Sequence, residues 1–85
     1  VGRPVPRDDD RGRFTSAARE TGYRDGFEAG QNAARSRDRF DPVREKRYRE
    51  GDHDYDRRYG SLDEYKREYR DAFKQGYDAG YRGRR

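Results

Sequence analysis

The run GDHDYDRRYGSLDE, from Gly51 to Glu64, gathers the densest set of potential ligands in the chain. Asp52, Asp54 and Asp56 fall at positions 1, 3 and 5 of a calcium-loop pattern, and Asp63 falls at position 12. Such loops need glycine at the sixth position for their sharp turn, and Arg57 stands there instead. A bulky cation at that point opposes both the turn and the charge requirement. The aspartates therefore read as a polar, helix-capping loop with no metal, and His53 among them as a lone exposed histidine. Thr15, Ser16 and Ser61 sit where hydroxyls cap helices rather than attack substrates. Nearly every carboxylate has an arginine within four residues and reads as part of a solvated salt-bridge face. The glycines are spaced for a helix and form no phosphate-binding loop. With no cysteine and one histidine, the chain is expected to have no enzymatic activity and no cofactor.

The residues that must position any function are unusual. Hydrophobic residues make up 27% of the 85, against roughly 45–50% in globular chains. Eight tyrosines and four phenylalanines stand beside one leucine and no isoleucine, methionine or tryptophan, so whatever core forms is mainly aromatic. Charged residues reach 47%, with 22 basic and 18 acidic side chains interleaved to a net +4. That balance argues against a strong polyanion field. Interleaved arginine and tyrosine, as in RYREGDHDYDRRYG, together with the basic end Arg82, Gly83, Arg84, Arg85, still allow a second reading. In it the chain binds a polyanion, nucleic acid or acidic glycan, by phosphate contact and stacking, with strong salt dependence. No stretch of 18 apolar residues is present to span a membrane. A start at Val1 fits a processed, secreted chain or a trimmed one.

High charge and low hydropathy are also the composition of disorder, and periodicity decides against it. Residues 1–13, with two prolines and an aspartate run, read as an extended arm. A single helical domain is expected over 14–85, with helices at 16–35, 42–50 and 62–82. Thr15 or Ser16 caps the first. Asp41 followed by Pro42 opens the second, and Gly51 closes it in a left-handed turn. Ser61 and Glu64 form a capping box for the third, which stops at Gly83. The fold class is all-α: a helical hairpin of two long helices with a short linking helix.

Both long helices repeat every four residues. Ala18, Gly22, Gly26, Gly30 and Ala34 form one series, with Tyr23 and Phe27 each following a glycine. Ala72, Gly76 and Gly80 form another, beside the ridge Tyr65, Tyr69, Phe73, Tyr77 and Tyr81. Side chains four apart are neighbours on a helix surface, so each helix carries a smooth notch beside aromatic rings. Five glycines inside helices cost roughly 3–5 kcal/mol against alanine. Close packing, with rings of one helix over the notches of the other, is the expected compensation. A four-residue step drifts about 40° per repeat against 3.6 residues per turn, so the five-ring ridge sweeps roughly 160° round its helix. One partner helix does not cover that arc, which predicts self-association of this chain into an oligomer or filament. Resting on aromatic burial, the association is expected to survive salt.

The runs GYRDGFEAG and GYDAGYRG resemble the glycine-every-fourth-residue motif of Yae1-like (deca-GX3) proteins, over about 20 residues. That resemblance implies helical hairpins associating through the motif. The stretch from Arg39 to Gly80 resembles a group of small, tyrosine- and arginine-rich bacterial proteins, and implies a bacterial, secreted or cell-surface address without a known activity.

Overall fold

The computed structural model describes residues 16–83; the expected arm over 1–13 and the alternative cap Thr15 lie outside the described residues. The chain is all-helical over this span, and its two long helices pack together. Helix α1 covers Ala17–Arg35, α2 covers Lys46–Glu50 and α3 covers Leu62–Tyr81, with 3₁₀ turns at Pro42–Arg44 and Arg57–Tyr59. Each long helix begins on a serine: Ser16 Oγ accepts the Arg19 N–H at 3.1 Å, and Ser61 Oγ accepts the Glu64 N–H at 3.1 Å. Those bonds satisfy amides that the first turn leaves without a partner. Gly51, at φ 65°, ends α2, and Gly83, at φ 71°, follows the Arg82 cap of α3. Both take the left-handed conformation that closes a helix at little cost only for glycine.

The single helix expected over 42–50 is broken in two. Glu45 is extended, with ψ 138°, between the 3₁₀ turn and α2. Asp41 makes no side-chain cap, and its N–H points to the Tyr77 hydroxyl at 3.4 Å. The cause is tertiary. A straight helix would carry this segment off the surface, whereas the break lets Arg47 and Tyr48 reach opposite long helices.

The long helices run in the same direction. Gly22 lies against Tyr69, Gly26 against Phe73 and Gly30 against Tyr77, so position rises together on both. Residues 36–61 must therefore carry the chain back from the end of α1 to the start of α3, and they do so along the aromatic ridge. Phe40 packs edge-on to Tyr77 and Tyr81, with ring centroids 5.1 and 5.3 Å away. Further back, Tyr48 meets Phe73 at 5.8 Å and Tyr55 meets Tyr65 at 5.1 Å. Edge-on contacts at these separations are the favoured geometry for aromatic pairs. Tyr65, Tyr69, Phe73 and Tyr77 are buried as a result, none more than 2% exposed, and Tyr81 is half-buried. This corrects the premise that the ridge outruns its cover: α1 does not close it alone, but the linker closes the rest from within the chain.

The notches are filled by backbone rather than by rings. A methyl group on Gly26 would lie 2.9 Å from the Phe73 carbonyl carbon and closer still to its oxygen. The same is true of Gly22 at Tyr69, and Gly76 and Gly80 meet the backbone of Tyr23 and Phe27 in return. At such separations Cα–H groups face carbonyl oxygens across the seam, a weak but repeated attraction. Tyr23 and Phe27 are half-buried, their rings stacked at 6.4 Å. Ala18 and Ala72 are also buried, whereas Ala34 is exposed and Ala33 takes the seam position. The four-residue series drifts off a 3.6-residue helix, and by Ala34 it has left the contact. No helix among the described residues is long and apolar enough to cross a membrane.

Candidate functional site

One carboxylate oxygen is the meeting point of four chain segments. Asp25, in the middle of α1, is buried, with its side chain 6% exposed. Its Oδ2 accepts the Tyr69 hydroxyl from α3 at 2.6 Å, His53 Nδ1 from the loop after α2 at 2.6 Å, and Arg47 Nη1 from α2 at 3.2 Å. A carboxylate only accepts, so Nδ1 carries the histidine proton in this arrangement. Arg47 Nη1 lies beside the imidazole, 3.0 Å from Nδ1 and 3.4 Å from Nε2. Asp54 Oδ1 stands 3.6 Å from Nε2. His53 is thus no lone exposed histidine. Its side chain is 33% exposed, and its carbonyl takes the Tyr65 hydroxyl.

The fold supplies each partner for a local reason. Asp25 falls on the line Ala18, Gly22, Asp25, Ala29, Ala33, the three- and four-residue steps that keep to one side of a helix. Tyr69 is fixed between Tyr65 and Phe73, at 6.3 and 5.9 Å. Gly51 lets the chain turn out of α2, and Asp54, itself left-handed at φ 64°, places His53 over α1. Burial, reinforced by the hydrogen bond to Asp25 and that residue's charge, pushes the Tyr69 hydroxyl well above the ordinary tyrosine range. Burial also opposes the charge on Arg47, but the charge and hydrogen bond of Asp25 outweigh it and hold Arg47 above its ordinary value. Chemically the cluster is a tie. It anchors α2 and the following loop onto both long helices, and it presents an oriented imidazole without an activated nucleophile beside it. The nearby Thr21 is buried, 7% exposed, and lies beside the Tyr65 hydroxyl.

Burial likewise raises Tyr65 and Tyr77. A tyrosine whose folded pKa is raised contributes stability that is full below the unfolded value, near 10, and is lost as pH rises through the folded value. Each such group adds a fall of at most about 1.4 kcal/mol per pH unit between its unfolded and folded values. Tyrosinate absorbance should therefore rise in two steps, the second coinciding with loss of helical circular dichroism. One smooth step with the helix intact would contradict this.

The remaining sequence candidates are dispersed. Asp56 Oδ1 caps the Arg58 N–H at 2.9 Å, and that bond holds its carboxyl below the usual range. Asp52 accepts the Tyr55 N–H through its carbonyl, and Asp63 lies in the first turn of α3. Among the described residues no group of three or more histidine, cysteine or acidic side chains is placed to hold a metal ion. Sequence reasoning missed Asp25 because it fell among the many carboxylates with an arginine within four residues, all read as solvated. The three- and four-residue line through Ala18 and Gly22 was the signal that marked it as buried.

Two open grooves flank α2. One, between α2 and α3, is lined by Tyr48, Lys66, Arg67, Arg70 and Lys74, with Asp63 and Asp71. Arg70 is pinned there: its Nε donates to the Tyr48 carbonyl at 2.9 Å, and its guanidinium lies 5.8 Å from the Tyr48 ring centroid. The other, between α1 and the linker, carries Asp25, Glu28, Asp38 and Glu45 with Arg47. No protein-family model, no curated protein and no solved structure matches this chain.

Proposed function

We propose that the chain is a non-enzymatic structural or interaction protein that associates with further copies of itself through its outer surface. One observation carries this reading: the groups able to do chemistry or to notch another helix are engaged within the fold, while charges of both signs are left outside. Asp25, His53, Arg47 and Tyr69 bind one another, and the glycines of both long helices face backbone of the same chain. The seam residues are thus not free to hold another copy. Lys66, Arg67 and Lys74 on α3, and Glu28, Asp38 and Glu45 on the other flank, make no ion pair among the described residues. Association through such charges fades as salt shortens the screening length, from about 30 Å at 0.01 M to about 3 Å at 1 M. This reverses the salt-resistant behaviour expected from uncovered rings.

Native mass measured across protein concentration at low and high salt tests the proposal. A concentration-dependent oligomer or filament at low salt, dissociating at high salt, is expected. A monomer under every condition contradicts it. The basic groove with Tyr48 beneath Arg70 favours a second reading, binding of nucleic acid or acidic glycan. A monomer that holds either polymer at physiological salt would establish that reading instead.

A further inference from the structure

We infer that the basic groove between α2 and α3 docks into the acidic groove between α1 and the linker of a second copy, an inference that rests on the self-association proposed above. Lys66, Arg70 and Lys74 recur every four residues, a row stepping about 6 Å along the helix, with Arg67 beside it. Asp71 within the row is answered by Arg19 at 3.0 Å, and Arg70 is held by backbone carbonyls of α2. Lys66, half-buried beside Gly51, and the exposed Arg67 and Lys74 make no ion pair among the described residues, nor does Asp63 in the same groove. In the acidic groove Asp25 is answered by Arg47, and Asp38 is tied only through its backbone, whose carbonyl takes the Tyr81 hydroxyl at 2.7 Å. The exposed Glu28 and Asp38 and the half-buried Glu45 are left as anions without an ion pair among the described residues.

The charges lining the two grooves, four basic against two acidic in one and four acidic against one basic in the other, give patches of opposite net sign, one on each side of α2. Complementary patches of this kind steer encounter and fix orientation more than they add affinity. A generic polyanion would match the basic row alone, and the acidic flank would repel it, whereas a second copy answers both. If two copies make both contacts at once, a closed dimer results, and if each contact recruits a further copy, a filament grows.

Charge exchange tests the pairing. Arg67, Lys74, Glu28 and Asp38 are all exposed, so Arg67→Glu/Lys74→Glu and Glu28→Lys/Asp38→Lys should keep the helical signal and melting midpoint. Each double variant alone should need about tenfold more protein, or higher, to reach half association. Mixed in equal amounts they should recover association, because the reversed row of one meets the reversed groove of the other. Variants that associate like wild type, or a mixture that stays apart, would overturn the inference while leaving self-association standing. A wild type that is monomeric throughout sinks both. Should a double variant misfold, Lys74→Glu paired with Glu28→Lys carries the same comparison.

Discussion

Gly26→Ala should lower the melting midpoint by about 10–20 °C. Two terms oppose each other. Alanine raises helix propensity by about 0.5–1 kcal/mol. Against that, the new Cβ would press on the Phe73 carbonyl, with its carbon 2.9 Å and its Cα 3.0 Å away. The obstacle is backbone within a helix, which cannot rotate aside as a side chain would. The helices must separate, and separation loosens Gly22, Gly30, Gly76 and Gly80 together. Overpacking of this kind costs typically about 1–3 kcal/mol, and the rigid obstacle places Gly26 at the upper end. A midpoint unchanged or raised at equal protein concentration would mean that the two helices do not meet at Gly26.

The second large effect belongs to Asp25→Ala. Removing the carboxylate leaves the Tyr69 hydroxyl, on a fully buried side chain, without its acceptor, a loss of about 1–3 kcal/mol. It also frees His53 and Arg47, whose side chains are 33% and 53% exposed, so water recovers part of their cost. We expect a total loss of about 2–4 kcal/mol. Adding Tyr69→Phe should restore about 1–2 kcal/mol by removing the unpaired hydroxyl. Denaturant unfolding of the single and double variants checks both figures. A loss under about 0.5 kcal/mol for Asp25→Ala, the size of an ordinary surface substitution, would show that the cluster does not hold the linker.

Much of the helix layout was legible because its signals are local. Ser16, Gly51, Ser61 and Gly83 each act within one turn, and the ends they mark lie within a residue or so of expectation. The glycine series was legible too, since five glycines inside helices need a close neighbour. Direction was not. A ladder of small residues offers the same notch to a partner running either way, so both long helices of the expected hairpin form and pack together, yet they run in parallel. The loop over 52–60 was read as polar, and no periodicity connects its Tyr55 and Tyr59 to Phe40 and Tyr48 before it. Their spacing makes sense only against the ridge they lie on. Asp25 escaped for a related reason: its partners are 22, 28 and 44 residues away, whereas arginine pairing was judged along the sequence.

The direction of the helices is the central claim, because both the linker's cover of the ridge and the Asp25 tie depend on it. The chain has no cysteine, so spin labels can be attached at chosen pairs of positions. Glu20→Cys with Asp63→Cys marks the starts of α1 and α3, and Glu20→Cys with Arg82→Cys marks opposite ends. Electron paramagnetic distance measurement on the dilute protein should find the first pair closer than the second by about 10–15 Å, since Glu20 is level with position 67 on α3 and each residue advances about 1.5 Å. The reverse order, with Glu20 nearer to position 82 than to position 63, would contradict the parallel seam and the fold built upon it.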